Sequence, residues 1–215
     1  MKTKIVRLLG LTLGVLLLLA PAPSFAKAKT GGAPIPKKVE LKLGLRDLWG
    51  GHIFWVRNVV LETKYGDADA AKVAEAEAVQ NAKDLANSIS PYYGKEASDK
   101  LFGLLAGHYG AVKEYMTAAF SDNKDAKNAA VDKLKKNADE IAAFLSSANP
   151  NWPKDTLLSA LIAHGGHHIA QIDAIAVKDF ASEAKTWDAM KKHVNVIADV
   201  LADGIVKQFP GKFKK

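Results

Sequence analysis

Residues 45–56 read LRDLWGGHIFWV, and their apolar side chains recur at intervals of three, four and seven residues. This spacing is typical of an amphipathic helix with one apolar face. His52 falls on that face and not on the opposite, polar one. The stretch therefore predicts a long helix that carries a histidine into the protein core.

The same pattern returns twice, each time 56 residues further along the chain, so that His52 matches His108 and then His164. Three matching segments in one gap-free register predict an internal repeat. The residues seven, three and one positions before each histidine agree as well: Leu45, Leu101 and Leu157, then Trp49, Leu105 and Leu161, then Gly51, Gly107 and Ala163.

Turn signals and second helices keep this register, which makes the repeat unit a helix, a turn and another helix. We predict an all-α fold of six long antiparallel helices, arranged as three αα-hairpins over residues 41–96, 97–152 and 153–208. One hairpin cannot bury its apolar face alone, so the three must pack together. We favour a closed bundle over an open solenoid, because three repeats are few for a solenoid and no polar capping repeat is visible. The turn signals are Gly66-Asp67, Asp122-Asn123 and Lys178-Asp179.

The first 26 residues have the features of a secretory signal peptide. Three basic residues precede an apolar stretch of 13 residues, which is too short to span a membrane core of about 30 Å. Small residues flank Phe25, and cleavage is expected after Ala26. An uncleaved membrane anchor is the alternative. We expect a protein exported to a periplasm, or secreted, with a flexible leader over residues 27–40, one helical domain over residues 41–210 and a basic tail over residues 211–215.

Composition excludes several classes of protein. None of the 215 residues is cysteine, so a disulfide framework, a thiolate metal site and a c-type haem are excluded. The chain has a net charge of +7, and loss of residues 1–26 leaves 27 basic against 23 acidic residues, or +4. These charges are dispersed, which argues against a nucleic-acid partner. No later segment is apolar enough for stable membrane insertion, and nothing indicates a particular protein partner.

Core-facing histidines are the residue type most suited to chemistry in this chain. Three imidazoles that leave one position open match the ligand set of zinc and also suit copper or iron. We therefore predict a protein that binds, senses or stores a transition metal through repeat histidines, with asparagines that orient the imidazoles. The predicted ligands are His52, His108 and His164, the further candidates are His168 and His193, and the orienting residues are Asn81 and Asn137.

Two alternatives to a metal site stay open. In the first, each histidine bonds to the asparagine of its own hairpin, and the chain is a structural or interaction module. In the second, histidines and flanking aromatic residues hold a b-type haem. An enzyme is less favoured, because the sequence lacks nucleophile-elbow, Walker, zincin and di-iron motifs.

Four stretches carry a resemblance that spans most of residues 45–210: LWGGHIFWVR at 48–57, Asn81 with PYYG at 91–94, NADEIAAFLSSANPNWP at 137–153 and DGIVKQFP at 203–210. They resemble a family of uncharacterised, exported bacterial helical proteins. The resemblance implies a helical fold and a shared role for the three repeat histidines. His168 and Gln171 stand where that family is expected to have threonine and glutamate. Members are sometimes labelled glycosyltransferases, but no nucleotide-sugar motif is visible here.

Overall fold

The structure, a computed structural model, describes residues 35–214. All the regular elements in this range are helices, and the predicted all-α fold is confirmed. In chain order they are α1 (Lys37–Tyr65), α2 (Ala68–Asn87), the short α3 (Ser90–Tyr93), α4 (Lys95–Phe120), α5 (Lys124–Ala148), α6 (Lys154–Ala176) and α7 (Phe180–Gln208), followed by a 3-10 turn (Pro210–Phe213).

The six long helices pack as neighbouring antiparallel pairs: α1 with α2, α4 with α5, and α6 with α7. Between pairs, α2 lies against α4, α5 against α6, and α7 against α1. The second helix of each pair begins after a side chain that accepts hydrogen bonds from first-turn N–H groups, namely Asp67, Asn123 and Asp179. These N-caps pair backbone donors that a helix start otherwise leaves free. The internal repeat and the closed bundle stay predictions.

Buried apolar side chains form clusters along the interior. One cluster lies toward the turns inside the pairs and includes Val56, Val112 and Ile172. Another lies toward the opposite ends of the helices and includes Leu101 and Leu145. The repeat histidines occupy helix positions between these two clusters, so they are deep inside the protein.

The start of the helical domain differs from the sequence prediction. Helix α1 begins at Lys37, so residues 37–40, which we assigned to the leader, are helical. The Pro36 carbonyl accepts hydrogen bonds from the backbone N–H groups of Val39 and Glu40, and these bonds start the helix early. The 3-10 turn over Pro210–Phe213 overlaps the predicted basic tail, and the Phe213 ring stacks on Tyr92 with 5.9 Å between ring centroids.

The predicted signal peptide and most of the predicted leader lie outside the described residues. Among the helices that the structure describes, none combines the length and the apolar character needed to cross a membrane.

Candidate metal centre

Three buried histidines from two helices bring their ring nitrogens together. His52 lies on α1, and His164 and His168 lie one turn apart on α6. The Nε2 atom of His164 is 3.3 Å from that of His52 and 3.1 Å from that of His168. One ligand atom from each of the three residues lies within 4.8 Å of the other two. Nitrogens that share a zinc ion are about 3–3.5 Å apart, so this cluster can hold a metal ion.

The second histidine that α6 contributes to the cluster arises from a single change in the helical pattern. In the 56-residue register, position 168 corresponds to Val56 and Val112, which are core residues. Side chains four residues apart share one face of a helix. His168 therefore points to the same side as His164, and α6 contributes two nitrogens to the cluster where α1 contributes one.

His108, on α4, lies beside this cluster rather than within it. Its ring packs nearly parallel to that of His164, with 5.7 Å between centroids and an interplanar angle of 24°. Neither of its ring nitrogens has a hydrogen-bond partner. The structure thus brings the rings of all three repeat histidines together, but His168 completes the group of close nitrogens. An extended ladder, with about 20 Å between the first and third histidines, is not found, since the rings of His52 and His164 are 5.4 Å apart.

The asparagines make a different contact from the one predicted. Asn81 Nδ2 donates to the Leu48 carbonyl and Asn137 Nδ2 to the Leu104 carbonyl, both at 3.0 Å, and neither bonds to an imidazole. Glycines allow this approach, because a Cβ at Gly51 would lie only 2.9 Å from Asn81 Nδ2. The amides therefore join the two helices of a pair, and Asn137 also lies close enough to His108 to affect its pKa.

His193 makes the equivalent contact in the third pair. Its Nε2 lies 2.9 Å from the Ala160 carbonyl, 33 residues earlier, which is the separation found for the two asparagines. Its ring is 6.4 Å from that of His164. Because Nε2 is engaged by a backbone carbonyl, His193 serves to join α7 to α6, and it is not part of the close nitrogen group.

Burial keeps the clustered histidines uncharged. Removal from water lowers the pKa of His52 to about 3, with a further contribution from His108, and lowers the pKa of His108 to about 4. Burial and the neighbouring imidazoles hold the pKa of His164 and of His168 well below the ordinary value of 6.5. The neighbouring Asn137 acts in the opposite direction and raises the pKa of His108, although the Oδ1 atom of Asn137 makes no hydrogen bond of standard geometry. Neutral imidazole is the form that binds metals.

Buried polar atoms without hydrogen-bond partners are concentrated at this centre. A small cavity of about 20 Å³ lies among them. An unpaired buried polar group costs about 1–3 kcal/mol, so the concentration points to a site and not to ordinary core packing. Within residues 35–214 the side-chain atoms of this kind are Trp49 Nε1, His52 Nδ1, Asn81 Oδ1, both ring nitrogens of His108, the Tyr109 hydroxyl, Asn137 Oδ1 and His164 Nδ1.

A buried ion pair, which the sequence did not indicate, continues the polar face of α6. Gln171 follows His168 by one turn and donates through Nε2 to Glu183 Oε1 at 2.9 Å. Arg57 donates to both oxygens of Glu183, at 2.6 and 3.0 Å, and this pairing lowers the pKa of the carboxyl group. The one sequence feature that could have indicated this network is Gln171, because it shares a face of α6 with His164 and His168. The network links α1, α6 and α7.

Comparisons of the chain with protein-family models, with curated proteins and with solved structures found no match.

Proposed function

We propose that this chain is an exported protein that binds one transition-metal ion through the Nε2 atoms of His52, His164 and His168. The observation that carries the proposal is the convergence of three buried, uncharged imidazoles with their ligand atoms within 4.8 Å of one another. The sequence features of a signal peptide support export.

Hydrogen bonds among the three histidines cannot pair all of their clustered nitrogens. Each imidazole nitrogen carries either one proton or one lone pair. His164 Nε2 faces two other Nε2 atoms, at 3.3 and 3.1 Å. A proton on it can make one good hydrogen bond, and a lone pair on it can accept one. A cation that receives a lone pair from all three nitrogens pairs every one of them.

The donor set indicates which metals fit. Imidazole nitrogens suit zinc, copper and iron. A b-type haem fits less well, because the cavity beside the histidines measures only about 20 Å³. The structural-module alternative required each histidine to bond within its own hairpin, whereas His52 on α1 faces His164 on α6.

Binding, sensing or storage accounts for the site better than catalysis. A catalytic metal needs an acid or base beside it. The carboxylate that Gln171 contacts, that of Glu183 on α7, is already paired with Arg57 and Gln171.

Elemental analysis of protein purified without an affinity tag tests the proposal. We expect about one equivalent of zinc, copper or iron per chain, and loss of that metal in His164→Gln. The control is His167→Gln, because His167 is only half-buried and its ring packs against His193 at 5.3 Å instead of joining the cluster. Protein that holds no stoichiometric metal after loading with each of the three ions would overturn the proposal.

A further inference from the structure

A second, larger cavity of about 110 Å³ lies next to the histidine centre. Its lining side chains come from all six long helices and are apolar apart from the hydroxyls of Ser88 and Thr156 and the indole N–H of Trp49. The Ser88 hydroxyl is already engaged, since it donates to the Leu85 carbonyl at 2.6 Å. No charged side chain lines this space, so the cavity offers almost pure hydrocarbon surface.

The inner wall separates this cavity from the histidines by a single layer of side chains. The residues of this layer line both the large cavity and the small one, and they are Trp49, Leu85, Leu105, Ile141 and Leu161. The Trp49 ring meets the rings of His52 and His164 edge-on, at 5.8 and 5.5 Å between centroids. An occupant of the large cavity would therefore press on the residue that packs directly against the centre.

The cavity lining is less bulky on the side of α6 and α7, where the third helix pair differs in sequence from the other two. Ala160 stands where the first two pairs have Leu48 and Leu104, so a bulky side chain is missing. Thr156, one turn earlier, is exposed at the same edge.

The rim of the cavity on α7 has also changed in character. Val196 stands where the first two pairs have Asp84 and Glu140, both of which are exposed. The valine keeps 58% of its surface exposed although it lines the cavity. An exposed apolar side chain here, in place of an acidic one, gives an apolar entrance between α6 and α7.

We propose that this cavity binds one uncharged, apolar small molecule of about the size of a benzene ring, which enters between α6 and α7 beside Val196. An engineered apolar cavity of 150 Å³ stays dry and binds benzene or xenon, and the cavity here is of the same order. A charged or strongly polar ligand is excluded, because it would lose its hydration without gaining partners. Binding does not require the metal.

Benzene is a suitable probe, and Ala160→Leu is the variant that should block it. We expect benzene, at about five times its dissociation constant, to raise the Tm of the protein by about 2–4 °C. The rise should occur both with zinc and in chelator-treated protein, which separates this proposal from the metal proposal. Ala160→Leu should lose the rise, because it restores the leucine of the other two pairs. Ala129→Leu, on the exposed face of α5, should keep it.

Methyl NMR on the wild-type protein locates the benzene independently of any variant. Shifts confined to Leu101, Ile141, Leu157 and the other lining methyl groups are the expected result. Shifts scattered over surface methyl groups, the absence of any shift, or an equal Tm rise in Ala160→Leu would each overturn the proposal.

Discussion

Replacing His168 with valine should separate metal binding from folding. Position 168 corresponds in the 56-residue register to Val56 and Val112, whose exposed fractions are only 2% and 3%. Valine already occupies equivalent core positions on α1 and α4, so it should be accommodated on α6. The substitution removes one of the three clustered nitrogens and leaves His52 and His164 in place.

The expected magnitudes differ sharply for binding and for folding. Loss of an outer partner of a metal-bound histidine typically lowers affinity 10–100-fold, so loss of a ligand should lower it more than about 100-fold. In the metal-free protein, the cost of a smaller side chain is offset by removal of a buried polar ring whose one close contact is His164 Nε2 at 3.1 Å. We expect the free energy of unfolding without metal to change by less than about 1.5 kcal/mol.

Two measurements on the same preparations test this reasoning. Competition against a chromophoric chelator gives the zinc affinity, and urea unfolding with and without zinc gives the stability. Zinc at 100 times its dissociation constant should stabilise the wild-type protein by about 2.7 kcal/mol, and this gain should vanish in His168→Val. His193→Asn is the matched control, because it places in the third pair the residue found at Asn81 and Asn137. Unchanged zinc affinity in His168→Val, or an equal loss in His193→Asn, would refute the ligand assignment.

The remaining predictions concern stability in acid, the packing around two glycines and the ion pair between Arg57 and Glu183. The buried histidines have folded-state pKa values below the unfolded value of 6.5. The free energy of unfolding should therefore be highest above pH 6.5 and should fall as the pH drops toward about 4, by up to about 1.4 kcal/mol per pH unit for each histidine. Equal urea midpoints at pH 7.5 and 5 would contradict this. Gly204→Ala should destabilise the protein by about 1–3 kcal/mol in urea unfolding, since the new methyl group overlaps the Trp152 indole, whereas Gly166→Ala, which meets nothing within 4 Å, should stabilise it by up to about 1 kcal/mol. Glu183→Gln should lower stability by about 2 kcal/mol, because Arg57 loses a charged partner, and a fully retained Tm would argue against that role.

The helices and turns were predictable from the sequence because their causes are local. Periodic apolar side chains predict the six long helices, and a short polar side chain at the start of a helix pairs backbone N–H groups within its own first turn. Asp67, Asn123 and Asp179 do this at equivalent places. The local sequence is therefore enough to locate the N-caps of these helices.

The composition of the histidine cluster was only partly predictable, because it depends on contacts between helices. The register brings His52 and His164 to one layer, but side-chain rotamers and the depth of helix packing decide which third nitrogen joins them. Asn81 bonds to a backbone carbonyl only because Gly51 lets α2 approach α1 closely. Glu183 is buried only because Arg57 reaches it from another helix pair. No local pattern encodes these long-range approaches.

The third helix pair is where the chain departs from its own pattern. Four of these departures replace leucine with Ala160, valine with His168, asparagine with His193 and an acidic residue with Val196. His168 lies in the nitrogen cluster, Ala160 and Val196 line the apolar cavity, and His193 bonds to the Ala160 carbonyl. Departures that served folding alone would restore partners for buried groups, whereas His168 adds a polar ring to a core layer that is apolar elsewhere. The third pair therefore supplies two of the three proposed metal ligands, His164 and His168, and the proposed entrance to the apolar cavity, whereas the third ligand, His52, comes from the first pair.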